Sequence, residues 1–267
     1  MKEILLQTIR PITNPLQARN TAREFLQARI LVELQRRGAM IPLAFHGGTA
    51  LRFLFQHGRF SEDLDFSLVG DRSLYDIAGW LRSIRSTLTS EGYTIDVKMN
   101  DQKTVNSAFM RFPGLLYDLQ LSALPQENLS IKLEVDTNPP DGAGLATTVL
   151  RRYYLLQLHH HDQATLFAGK LHAVLQRPYT KGRDIYDLFW YLGDSNFPTP
   201  NFLFLNNALQ QTGWQDEELT TDNWKSILRS HADQINWDAI TADVAPFLMP
   251  GHDASLLTKE NFLRLLD

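Results

Sequence analysis

At 267 residues with 43% hydrophobic content, the chain is long enough to bury one full core and has room for a second. Its formal net charge of -4 gives no global attraction to nucleic acid, so any RNA partner must be caught by a local basic patch. The absence of cysteine excludes disulfide and thiol chemistry and fits a reducing compartment. No apolar run reaches the roughly eighteen residues a membrane span requires, and the opening residues have too short an apolar core for a signal peptide. The expectation is a cytoplasmic chain with no membrane partner.

In chain order, hydrophobic periodicity predicts a leading helix over 15–37, a short buried strand at 41–45, a glycine break at Gly47-Gly48 and a helix over 49–56. A second strand at 64–69 and an amphipathic helix over 73–90 follow, then strands near 93–98, 108–111, 117–121, 131–136 and 153–159. The Pro-Gly-rich stretch 138–144 reads as a loop. Beyond residue 160 the pattern turns helical. Asp162 is a plausible N-cap for a helix carrying Lys170, and further helices are predicted near 183–192, 201–211, 222–235, 238–248 and 258–266. The predicted class is α+β, with a mixed-sheet domain over 1–160 and a helical domain over 161–267 that completes an active-site cleft.

Two segments carry the chemistry. In Phe45-His-Gly-Gly-Thr-Ala-Leu-Arg52 a strand ends on paired glycines that open a helix, so unpaired helix N-terminal N–H groups face whatever lies above the turn. That is an anion site. In Arg59-Phe-Ser-Glu-Asp-Leu-Asp-Phe66 strand periodicity sends Asp63 and Asp65 to one face and Leu64 and Phe66 to the other. Carboxylates about 7 Å apart along that face could share metal ions with a triphosphate.

These residues resemble the DNA polymerase β-like nucleotidyltransferase superfamily and, within it, the AbiEii/AbiGii toxin family. The likeness lies in the Gly-Gly-Thr-x-Leu-Arg run at Gly47 to Arg52 and the Arg-x-Ser-x-Asp-Leu-Asp-Phe run at Arg59 to Phe66, with thirteen residues between Thr49 and Asp63. Thr49 stands where serine is commoner, keeping a hydroxyl near the phosphates. The resemblance implies transfer of a nucleoside monophosphate from an NTP to an acceptor hydroxyl, with two Mg²⁺ ions on Asp63 and Asp65. It implies a nucleotide-binding set of Gly47, Gly48, Thr49, Arg52, Arg59 and Ser61. It also implies a toxin of a toxin–antitoxin or phage-defence pair, a separately encoded antitoxin, and RNA such as tRNA as acceptor.

An attacking hydroxyl needs a base or a metal that lowers its pKa, which calls for a third acidic element. Alternation in Ile131-Lys-Leu-Glu-Val-Asp136 puts Lys132, Glu134 and Asp136 on one face. Glu134 is the choice for third metal carboxylate, Asp136 the next, and Asp96 a weaker competitor. Downstream, Lys170 lies on or beside an apolar stripe and needs an anion. Its partner is either a triphosphate or the carboxylates of Asp184 and Asp187, which share a helical face at i and i+3, with Arg183 a possible member of that bridge. A Lys-Leu-x-Ala helix and an Arg-Asp-x-x-Asp-Leu helix extend the family resemblance, which implies that Lys170 contacts phosphate while Asp184 or Asp187 supports the site.

Other features read as structural. Consecutive residues on a strand alternate faces, so His159, His160 and His161 make a solvated strand end and no metal site. His46 reads as a satisfied structural histidine, and Trp190, Tyr191, Phe202, Phe204 and Trp224 as helix packing. Arg82, Arg85, Lys98, Lys103, Arg111, Arg151 and Arg152 are the candidates for an RNA-facing patch. Two rival functions remain, a small-molecule nucleotidyltransferase such as one acting on an antibiotic, and a non-catalytic nucleotide-binding regulator. The intact Asp63/Asp65 pair argues against the latter.

Overall fold

The computed structural model describes residues 2–267, which cluster into two compact units. The first comprises residues 2–139 and 146–160, the second residues 140–145 and 161–267.

The first unit opens with α1 (Lys2–Ile9) and the long α2 (Pro15–Arg36). Asn14 caps α2 by accepting from the N–H groups of Leu16 and Gln17, and Pro15 occupies the first turn, where its missing N–H costs nothing. The chain leaves α2 through Gly38 at φ +74°, a left-handed position suited to glycine. There follow β1 (Leu43–His46), α3 (Gly47–Phe55), β2 (Leu64–Leu68), α4 (Ile77–Ser90), β3 (Asp96–Asn100), β4 (Val105–Phe112), the single turn α5 (Leu115–Asp118), β5 (Leu129–Asp136), β6 (Leu145–Arg152) and β7 (Tyr154–His161). The strands form one mixed sheet of order β3-β4-β5-β2-β1-β7-β6. β2 runs antiparallel to β1 and parallel to β5, which places the two acidic strands side by side in the middle of the sheet.

The sheet core is apolar by alternation. Along β5 every second residue is buried, with Leu129, Ile131, Leu133 and Val135 inward. Phe45 of β1 and Phe66 of β2 face each other in register with ring centroids 5.1 Å apart. The long α2 differs from an ordinary amphipathic helix. It buries Phe25, Leu26, Ile30, Leu31 and Leu34, yet it also buries Asn20, Glu24, Gln27, Arg29 and Glu33.

The second unit is helical: α6 (Gln163–Gln176), α7 (Gly182–Leu192), α8 (Phe202–Gln211), α9 (Trp224–His231), α10 (Trp237–Val244) and α11 (Lys259–Leu265). Asp162 caps α6 by accepting from the Thr165 N–H, as its sequence position predicts. Phe167 stacks on Tyr191 with centroids 4.5 Å apart, and Phe202 lies 6.5 Å from Trp224. The aromatics of this region are indeed packing.

Several predicted elements change. The strand expected over 117–121 is absent: α5 occupies Leu115–Asp118, because Gly114 in the left-handed region starts a tight turn that buries Leu115 and Leu116. The strand expected at 93–98 begins at Asp96, and the helix expected from residue 73 begins at Ile77 behind a short 3₁₀ turn. Both α1 and β6 lie outside the predicted set; β6 is an edge strand that leaves Leu145 and Val149 exposed, so it lacks a buried stripe to announce it.

Candidate active site

The glycine turn and the acidic strand interlock atom by atom. Gly47 sits at φ +77°, and a Cβ there would lie 2.3 Å from Oδ2 of Asp65. A Cβ on Gly48 would lie 2.7 Å from Nη2 of Arg59 and 2.8 Å from Oγ of Ser61. Glycine at both positions lets the carboxylate and the Arg59–Ser61 side chains close on the turn. The turn opens α3, whose N-cap residue His46 makes no side-chain capping bond, so the first N–H groups of the helix have no cap from that side chain.

Sheet register then brings the carboxylates together. His46 of β1 pairs with Asp65 of β2, and Asp65 pairs with Glu134 of β5, so the three side chains share one row and one face. Strands 4.7–4.9 Å apart place Asp65 and Glu134 within about one strand spacing of each other. Asp136 lies one row away, opposite Ser67, and accepts from the Asn138 N–H. Asp96 is on the edge strand β3, paired with Arg111. Glu134 is thus the β5 carboxylate nearest in register to the Asp-x-Asp pair.

Asp63 stands just before β2. Burial pushes its pKa up, and the negative charges of Asp65, Glu62 and Glu134 add to the push while Lys132 opposes it; the result is about 6. Lys132 also pairs with Glu134 at 2.8 Å. Four carboxylates and one ammonium therefore share a single electrostatic neighbourhood.

A hard divalent cation suits this donor set. Among the described residues no group of three or more His, Cys, Asp or Glu is close enough to form a closed metal cage. Mg²⁺ does not require one, since it is usually held by one or two carboxylates with substrate phosphates and water completing its shell.

Other motif residues turn inward. Thr49 is fully buried and its hydroxyl donates to the backbone carbonyl of Asp63, so it ties the helix to the acidic segment and does not project toward a phosphate. Arg52, expected to bind nucleotide, is 5% exposed: its guanidinium donates to Glu24 and to the His57 carbonyl at 2.7 Å each, and lies over the Phe60 ring. A buried guanidinium so engaged is a strut. Arg59 is also buried and donates to the Phe60 carbonyl. Glu24, which no sequence motif marks, receives Arg52, Arg152 and the Tyr153 hydroxyl; Arg152 therefore belongs to this network and not to a surface patch. Arg82, Arg85, Lys98, Lys103, Arg111 and Arg151 are exposed.

In the helical unit, Lys170 Nζ lies 2.9 Å from Asp184 and 2.7 Å from Asp187. Both carboxylates are buried. Burial pushes the Asp184 carboxyl up, but the Lys170 and Arg177 cations outweigh it and hold the pKa below the usual range. Arg177 also contacts Asp184, and Arg183 lies over the Phe247 ring at 4.2 Å. The histidine run also differs from expectation. His160 and His161 are buried, His160 bonding the Thr148 hydroxyl at 2.9 Å, and His159 contacts the Leu43 carbonyl at 3.1 Å. The run is the C-terminal end of β7, and it is mostly buried where a solvated end was expected.

No helix among the described residues is long and apolar enough to cross a membrane. No curated protein sequence matches the chain. In fold it is similar to MenT4, a nucleotidyltransferase toxin from Mycobacterium tuberculosis, with TM-score 0.59, 17% identity and coverage of 100% of this chain and 89% of that one. It is also similar to JHP933 from Helicobacter pylori, with TM-score 0.53, 18% identity and coverage of 92% and 88%. The family model described as "Nucleotidyl transferase AbiEii toxin, Type IV TA system" matches residues 29–265. Spanning most of the sequence and both of its signature segments, that match makes the chain a member of the AbiEii nucleotidyltransferase toxin family, and an enzyme of the nucleotidyltransferase class.

Proposed function

We propose that the chain transfers a nucleoside monophosphate from an NTP to a hydroxyl of RNA, such as a tRNA, with release of pyrophosphate. The toxin would be held in check by a separately encoded antitoxin, in a toxin–antitoxin or phage-defence pair. The observation that carries the reading is the row His46–Asp65–Glu134, set against a glycine turn at a helix N-terminus. In this reading the N–H groups of the α3 turn at Gly47 and Gly48 hold a phosphate of the NTP, and Arg59 and Ser61 back the turn. Asp63 and Asp65 hold the cation, with Glu134 as third carboxylate and Lys132 balancing its charge. Mg²⁺ bound there would neutralise triphosphate charge and lower the pKa of the acceptor hydroxyl. Lys170, with Asp184 and Asp187, is the helical unit's candidate nucleotide contact. Positioning and charge neutralisation are what this transfer asks of a protein.

The test is incubation with each labelled NTP, Mg²⁺ and total bacterial RNA, beside a protein-only control and a small-molecule acceptor panel. Label should enter RNA, and neither Asp63→Ala nor Asp65→Ala should support it. Expression without an antitoxin should slow bacterial growth, and Asp65→Ala should relieve the effect. Label in a small molecule but not in RNA would overturn the acceptor assignment, and full turnover by both variants would overturn the site.

A further inference from the structure

Three consecutive backbone carbonyls lead up to β2, and buried side chains from two helices hold all of them. Gln27 of α2 is 1% exposed and donates its amide to the carbonyls of Ser61, at 3.1 Å, and Glu62, at 2.9 Å. Thr49 of α3 donates to the carbonyl of Asp63. Arg23, about one turn before Gln27, pairs with the Glu62 carboxylate at 3.3 Å.

The ties matter because residues 60–63 have no strand pairing, so no sheet ladder fixes the direction of the Asp63 carboxylate. Like charges on Asp65, Glu62 and Glu134 also press on that carboxylate. A primary amide has two N–H donors, here directed at successive carbonyls. Without them, two half-buried carbonyls lose their partner, and the segment relieves this by moving toward water with Asp63 attached.

We propose that Gln27 is a positioning residue for nucleotidyl transfer, whose amide fixes the backbone that aims Asp63 at the nucleotide-bound cation. The inference rests on the reading of Asp63 as a cation ligand. Gln27 acts through the Ser61–Asp63 backbone, as partners behind metal ligands do.

The experiment uses the full chain with a non-hydrolysable NTP analogue, reading Mn²⁺ binding by the spin-resonance signal of the free ion and folding by circular dichroism. Gln27→Met keeps the length and removes both donors. It should weaken Mn²⁺ binding by about tenfold or more while the fold and metal-free analogue binding stay near wild type. Gln27→His, which keeps one ring N–H, should fall between the two and carries the comparison if Gln27→Met does not fold. A folded Gln27→Met with Mn²⁺ affinity within twofold of wild type would overturn the inference, as would failure of both variants to fold, which would make Gln27 purely structural. Asp63→Ala separates the two layers: if it too binds Mn²⁺ like wild type, the reading of Asp63 itself fails.

Discussion

Gly47 and Asp65 are fitted to each other: the carboxylate occupies the space that a side chain at position 47 would need, with Oδ2 2.3 Å from the site of a Cβ. Because Gly47 is also at φ +77°, alanine there meets both a left-handed backbone and the carboxylate. Gly47→Ala should lose about 1–3 kcal/mol in urea unfolding, counting about 1–2 for the backbone alone. It should also lose transfer, since Asp65 must move aside. Unchanged stability and turnover would show that turn and strand do not interlock in solution.

Asp63 predicts a pH-dependent stability in metal-free protein. Its pKa rises from 3.8 to about 6 on folding, so between those values the folded chain binds more protons than the unfolded one. Stability from this group falls as pH climbs through that window, and the penalty is complete above it. Asp63→Asn should therefore be more stable than wild type at pH 8, by about 1–3 kcal/mol, and nearly equal to it at pH 4. Thermal unfolding in EDTA at the two pH values checks this, and a variant less stable at pH 8 would contradict it.

Glu24 predicts a large structural loss without any chemical role. It is 3% exposed and accepts from Arg52 and Arg152 at 2.7 Å and from the Tyr153 hydroxyl at 3.0 Å. Glu24→Ala would leave two guanidinium groups without their shared anion, a change that typically costs about 3–5 kcal/mol. Chemical denaturation should show the loss. A drop below about 1 kcal/mol would mean that water replaces the carboxylate with little penalty.

Lys170 tests the helical unit. Lys170→Met removes one cation from Asp187, which is fully buried, and should cost about 3–5 kcal/mol. The double variant Lys170→Met/Asp187→Asn should recover part of that stability by removing the stranded charge. Its NTP affinity, measured on folded protein, then isolates any phosphate role: affinity that stays low supports nucleotide contact, and affinity that returns to wild type assigns Lys170 to the ion pair alone.

The elements nearest the chemistry were legible in the residues because their signals are local. Alternation in Ile131 to Asp136 gave β5 its two faces, and the paired glycines after an apolar run announced the start of α3. Turn chemistry was less legible around Gly114, where a left-handed residue redirected a segment whose apolar content also suited a strand. Tertiary structure decided the row that joins His46, Asp65 and Glu134, since register depends on how strands far apart in sequence pair. It also decided which polar groups turn inward. Thr49, Arg52 and His160 are buried because partners elsewhere in the fold satisfy them, and burial of a polar group is set by those partners and not by its own side chain. On α2 the chain folding back with Ser61 and Glu62 against Gln27, 34 and 35 residues on, buries a side chain that nothing local marks as interior.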